Sequence, residues 1–130
     1  MINFECTARI SASPTEVFNA WLDSSKHAKM TGGGAECSDQ AGDNFSAWDG
    51  YISGKNLTIV PNSCIKQAWR TTEFKETDDS SLLEIQFEKA GSGCQVTLIH
   101  SQIPVGQPDY KQGWKDHYFS PMEKYFGMLS

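Results

Sequence analysis

The chain has 130 residues, 38% hydrophobic and 12% aromatic, a composition that suits one packed domain and not a disordered tail. Net charge is −5 and the eleven Lys and Arg are scattered, which excludes the basic stripe that nucleic acid requires and speaks against an anionic membrane surface. No run approaches the roughly 20 apolar residues of a membrane span, and Glu5 interrupts the apolar stretch a signal peptide would need, so the expected setting is cytoplasmic.

Phe4, Cys6, Ala8 and Ile10 alternate along "INFECTARIS", the period of a half-buried first strand. Ser13-Pro14-Thr15-Glu16 then starts a helix: Ser13 caps, Pro14 fits the first helical position, and Glu16 completes a capping box. Val17, Phe18, Trp21 and Leu22 follow at helical spacing. A second short helix is expected over 25–30, ending at Gly32-Gly33-Gly34. The "TGGGA" stretch lacks a lysine to serve a phosphate and reads as a flexible connector.

From 35 to 102 the signals are all strand and turn. Strands are expected near 35–38, 43–48, 51–60, 64–74, 80–89 and 94–102, separated by Gly-, Asp- and Asn-rich breaks. Such short connections favour antiparallel neighbours, and Gly54 marks a bulge or a close backbone approach. In "FSAWDGYISG", a two-residue turn at Asp49-Gly50 pairs Ala47 with Ile52 and Trp48 with Tyr51. Phe45, Ala47, Ile52 and Gly54 then take the core face. Trp48 and Tyr51 take the outer face as a cross-strand aromatic pair, a candidate partner surface. A three-residue turn with a bulge at Gly50 would shift the pairing by one and reverse Tyr51 relative to Trp48.

After the loop "IPVGQPD", a last helix is expected over 110–129, with Tyr110, Trp114, Tyr118, Met122, Tyr125 and Leu129 on one face. Pro121 should kink it and leave the carbonyl of His117 without its usual partner. The pieces assemble into one α+β domain, 1–130: a curved antiparallel sheet of six to seven strands around a long C-terminal helix, with two short helices after the first strand.

Several of these segments resemble one family. "GDNFSAWDGYISGKNLTIVPNSCIKQAWR" (42–70) is similar to the central hairpins of the activator-of-heat-shock-protein-90-ATPase homolog-like group, in the START-like (SRPBCC) superfamily. "TLIHSQIP" (97–104) resembles that group's last strand, "QGWKDHYFSPMEKYFG" (112–127) its C-terminal helix, and "ISASPTEVFNAWLD" its first strand and helix. Nearly the whole chain is covered. The resemblance implies a helix-grip fold, often with a cavity between helix and sheet that different members use for lipids, hormones or polyketides. It also implies a chaperone ATPase as a possible partner. In the eukaryotic co-chaperone a separate N-terminal domain supplies the main docking surface; this chain is expected to start at the START-like domain itself, without that module.

The chemistry-bearing residues are few. His27 sits on a polar short helix and is expected at the surface, His100 should face the C-terminal helix, and His117 should lie at the edge of that helix's apolar stripe. A buried His100–His117 pair could orient a polar ligand or move a proton; the plainer alternative is a hydrogen-bonded histidine in or beside the core. No nucleophile with an evident base stands out. Asp78-Asp79 occupies a turn, and "GYISGK" is one residue short of a phosphate loop, with Asn56 where a magnesium-binding hydroxyl belongs. Cys6, Cys37, Cys64 and Cys94 form no CxxC and are expected as free thiols, so no metal or cofactor is implied.

The space between sheet and helix has many aromatic candidates for its lining. Phe18 and Trp21 come from the first helix, Phe45, Trp69 and Phe87 from the central strands, and Trp114, Tyr118 and Met122 from the last helix, with Leu98 and His100 from the last strand. They either wall a ligand pocket or fill it completely. The favoured expectation is a non-enzymatic domain that binds a small hydrophobic or amphipathic molecule in a cavity lined by Trp69, Leu98, Trp114 and Tyr118. The alternative is a co-chaperone-like module that modulates a heat-shock-protein-90-type ATPase. A third is a small-molecule enzyme using His100 and Tyr118.

Overall fold

The computed structural model describes residues 1–129, with side chains described as far as residue 127. Strand β1 (Ile2–Ile10) leads into α1 (Pro14–Leu22) and α2 (Ser24–Thr31). The capping box forms as the sequence predicts: the Ser13 hydroxyl accepts from the Glu16 amide at 3.2 Å, and the Ser13 amide donates to the Glu16 carboxylate. Helix α2 takes its own cap from Asp23, whose carboxylate accepts from the Lys26 amide at 2.8 Å.

Then come β2 (Asn44–Ala47), β3 (Ile52–Val60), β4 (Cys64–Thr71), β5 (Ser81–Ala90) and β6 (Gly93–Ile103). They form one antiparallel six-stranded sheet in the order β1-β6-β5-β4-β3-β2. The alternation legible in the sequence decides its faces: Ile65, Gln67, Trp69 and Thr71 of β4 point inward, as do Leu83, Ile85 and Phe87 of β5 and Val96, Leu98 and His100 of β6. The inner face is covered by α1 and a C-terminal helical segment, with α2 packed against both, the helix-grip arrangement that the resemblance implies.

Two strands are shorter than expected. The stretch 35–38 makes only one bridge, Glu36 with Ser46. Just beyond it the Cys37 amide donates to the Ser24 hydroxyl at 2.8 Å, which draws the chain towards α2 and away from the sheet. Strand β4 stops at Thr71 because the Phe74 amide turns back to the Thr71 carbonyl at 3.1 Å.

The β2–β3 hairpin keeps the Ala47–Ile52 pairing, and the Tyr51 amide closes onto the Trp48 carbonyl at 3.1 Å around Asp49-Gly50, as the two-residue turn requires. The departure lies at Trp48, which is itself left-handed at φ 51°, ahead of Asp49 at φ 58° and Gly50 at φ 91°. Trp48 therefore leaves the pleat before it can pair with Tyr51, and no cross-strand pair forms on the outer face. Its ring turns towards the C-terminal helix, 5.5 Å from the ring of His117. Gly33 and Gly34 make this possible. The Asp49 amide donates to the Gly34 carbonyl and the Gly34 amide to the Asp49 carboxylate, each at 3.0 Å, and a Cβ at Gly33 would sit 2.6 Å from the indole. The triple glycine is a cradle for the hairpin tip, not a loose connector.

The C-terminal segment runs as α3 (Tyr110–Trp114), a π-helical stretch over Lys115–Phe119, and α4 (Ser120–Leu129). The expected disturbance at Pro121 is met one turn earlier: the Ser120 amide reaches back five residues to the Lys115 carbonyl. That wider turn passes the chain into a residue that has no amide hydrogen to give. It also shifts the buried face, so that Phe119 and Phe126 are buried and Tyr125 is only half-buried.

Gly54 faces Trp69 across β3–β4, and a Cβ there would lie 1.8 Å from the Ala68 carbonyl oxygen. This is the close backbone approach the sequence suggests; the ladder irregularity follows at 56–58. Gly54→Ala is expected to lower stability by roughly 1–3 kcal/mol through forced overpacking, read from the urea midpoint. An unchanged midpoint would mean the hairpin can spread at no cost.

Candidate functional site

A cleft of about 440 Å³ opens where the hairpin tip meets the start of the C-terminal segment. Its walls follow from three local patterns. Inward alternation of β4 points Trp69 at the helix; the i, i+4 spacing of α3 stacks Tyr110 under Trp114; the π-helical stretch then brings Tyr118 to the same side. Trp69 meets Tyr110 edge-on at 5.1 Å, and Trp114 at a tilt at 5.6 Å. Trp48, Tyr51 and Ile52 close the hairpin side, and Pro108 lies at the mouth.

The residues expected at a pocket separate into groups. Trp69, Trp114 and Tyr118 line the cleft, and so do Trp48 and Tyr51, expected instead as an outer partner surface. Tyr51 is 36% exposed at the rim, its hydroxyl bonded to Glu73. Trp21 backs the wall, stacked on Tyr118 at 5.0 Å and Trp114 at 6.2 Å. Leu98 and Met122 are fully enclosed in the core, and Phe18 packs edge-on against Phe87 at 5.6 Å. Phe45 is half-buried against Gly54. Tyr110, Ile52, Pro108 and Gly113 line the cleft without having been singled out for it; Tyr110 was visible only as the first residue of the helical stripe.

His100 is wholly buried behind this wall, and its protonation state can be deduced. An indole N–H only donates, so Nδ1 of His100, 3.1 Å from Nε1 of Trp114, must accept. Nε2 then carries the proton and donates to the Ser81 hydroxyl at 2.8 Å, which donates in turn to the Trp69 carbonyl at 2.8 Å. Every hydrogen-bonding position of the neutral ring is filled, and burial holds the His100 pKa down at about 3.

His27, expected at the surface, is buried too, because α2 folds under α1. The Trp21 carbonyl can only accept, so Nδ1 of His27 donates to it at 2.8 Å. Nε2 accepts from the Tyr118 hydroxyl at 2.9 Å. Burial lowers the pKa of this histidine and raises that of the tyrosine. His117 alone of the three is exposed, at the mouth of the cleft.

The Tyr110 hydroxyl is also committed: it lies 2.7 Å from that of Thr71 and donates to Gln107 at 2.8 Å. Trp48 differs. Its Nε1–H is enclosed without a partner, a cost of about 1–3 kcal/mol, and its left-handed backbone adds roughly 1–2 kcal/mol. Among the described residues no Lys or Arg lines the cleft, and Asp109, at its edge, caps α3 by accepting from the Gln112 amide at 3.2 Å. The thiols offer no nucleophile: all four cysteines are free, and burial pushes Cys37 up to about 11. Among the described residues no three His, Cys, Asp or Glu converge as metal ligands would. No described helix is long and apolar enough to cross a membrane.

The model of the family described as "Activator of Hsp90 ATPase homolog 1-like protein" matches residues 11–127. A Dictyostelium discoideum activator of 90 kDa heat shock protein ATPase homolog is 27% identical over 91% of this chain and 31% of its own length. Its Homo sapiens counterpart, homolog 1, is 24% identical over 88% and 34%. The chain thus spans about a third of the length of the curated relatives it matches. Among solved structures, an HSP90 activator from Plasmodium falciparum superposes with a TM-score of 0.87 at 24% identity, over 98% of this chain and 97% of that one. A Mesorhizobium loti protein gives 0.83 at 16% identity, over 99% of both.

The buried histidines set a pH dependence. In the unfolded chain a histidine takes up a proton near pH 6.5, whereas folded His100 resists down to about 3. The unfolded state therefore binds more protons between those values, and stability falls as pH falls through that window, by up to about 1.4 kcal/mol per pH unit per histidine. Denaturant midpoints from pH 7 to pH 4 are expected to fall for the native protein and to fall less steeply for His100→Gln. Equal slopes would contradict the burial of a neutral His100.

Proposed function

The chain belongs to the activator of Hsp90 ATPase homolog 1-like family, and on that premise we propose that it is a non-catalytic binding domain whose partner is an Hsp90-type ATPase. The observation that carries this reading is the family match itself, which runs through 11–127 and so takes in both the hairpin and the C-terminal segment that meet at the cleft. Relatives similar over about 90% of the chain bear the name of activators of that ATPase. The contact surface we assign is the rim of the cleft. Tyr51 there is partly exposed and held in place by Glu73, a rigid aromatic of the kind that anchors interfaces at small entropic cost.

A second reading, a small hydrophobic or amphipathic ligand, is supported by the cleft: about 440 Å³, walled mainly by aromatic rings. An enzyme built on a cavity histidine has less support. Both nitrogens of His100 are already engaged, and the ring lies behind the wall instead of facing the space. Four free thiols suit a reducing compartment, and the setting we propose is cytoplasmic.

With a purified Hsp90-type ATPase, rising concentrations of this domain are expected to raise the rate of ATP hydrolysis to a plateau. Tyr51→Ala should shift the half-maximal concentration upward by about fivefold or more, the loss expected on truncating an interface anchor worth over about 1 kcal/mol. No change in hydrolysis at saturating domain would remove the chaperone reading.

A further inference from the structure

Three marks meet at Trp48. Its backbone, with that of Asp49, lies in the left-handed region at φ 51° and 58°, where a bulky side chain rarely settles. Its indole Nε1–H is enclosed without an acceptor, although buried donors in folded proteins nearly always find one. The same indole is a wall of the cleft. Strain of this kind concentrates at ligand clamps. The surroundings favour that explanation over poor packing. Gly33 gives up its side chain to admit the ring, and the reciprocal Asp49–Gly34 bonds pin the backbone of the turn. Both bonds act on the turn's backbone and on the Asp49 side chain; neither holds the indole.

We propose that Trp48 is the hydrogen-bond donor and movable wall of the cleft, and that the cleft takes an uncharged, planar aromatic molecule carrying a ring-nitrogen or carbonyl acceptor. This deepens the small-molecule reading and rests on it. Planarity follows from the rings of Trp69, Tyr110, Trp114 and Tyr118, which offer stacking surface in a space that holds two or three fused rings. An anion would meet no Lys or Arg among the described lining residues. A cation would face an N–H donor, and the carboxylate at the edge, Asp109, is already engaged in capping α3. Trp114 donates to His100, Tyr118 to His27 and Tyr110 to Gln107. Among the described residues Trp48 Nε1–H is the one side-chain donor that is both enclosed and unpaired. Because Nε1 is sealed from water, the acceptor reaches it when the indole turns.

Three probes of one shape test this by titration into the ¹⁵N-labelled protein at neutral pH: quinoline, which has an acceptor; naphthalene, which has none; and N-methylquinolinium, a cation. Quinoline is expected to move the Trp48 indole N–H resonance downfield and to bind about two- to tenfold more tightly than naphthalene, the increment of one hydrogen bond. Trp48→Phe is expected to bind both with equal affinity. Equal affinities in the native protein, or a quinoline preference that survives Trp48→Phe, would overturn the donor role and leave the cleft as a ligand site. Tighter binding of the cation would overturn the ligand class. Failure of all three probes to bind would overturn this proposal together with the small-molecule reading.

Discussion

A histidine buried between a sheet and a helix must be neutral and must have both nitrogens satisfied. That requirement organises this molecule. Because the Trp114 indole can only donate, His100 adopts one tautomer, and the bonds run from α3 through β6 and β5 to the backbone of β4. The two tryptophans at the ends of that chain are walls of the cleft. His27 repeats the logic from the opposite side, tying the end of α1 to Tyr118. The C-terminal segment is thus held at Trp114 and Tyr118, about one turn apart, just where its backbone widens into π-helical geometry.

This explains why the cleft lies at one end of the grip. Towards the other end, Phe18, Phe87, Leu98 and Met122 close the space with apolar packing. Near the hairpin, Tyr110, Trp114 and Tyr118 are each fixed by a side-chain hydrogen bond, so these rings cannot collapse onto one another. The open space is a consequence of polar tethering.

Elements with a local cause could be read from the sequence. Period-two alternation gave the inward face of β1 and turned His100 of β6 towards the helix, the Ser13–Glu16 box began α1, and Gly54 announced a close approach. What escaped depended on contacts distant in sequence. Nothing around His27 signals burial, because its partner Tyr118 is 91 residues away. Trp48 was placed on the outer face by a two-residue turn; the observed turn depends on Gly33 and Gly34, fifteen residues earlier for the bonded pair. Pro121 was legible as a disturbance, but not that a π-helical stretch would move the buried face onto Phe119 and Phe126. Of the cleft, Trp69, Trp114 and Tyr118 could be named from periodicity, whereas its hairpin wall could not.

The central claim is that His100 is a neutral, fully bonded bridge between helix and sheet. Long-range ¹H–¹⁵N spectra of the imidazoles test it directly. The account predicts a His100 ring protonated on Nε2 alone, with nitrogen shifts that do not change from pH 8 to pH 5. A ring that titrates with a midpoint near the ordinary value of about 6.5, or one protonated on Nδ1, would contradict it.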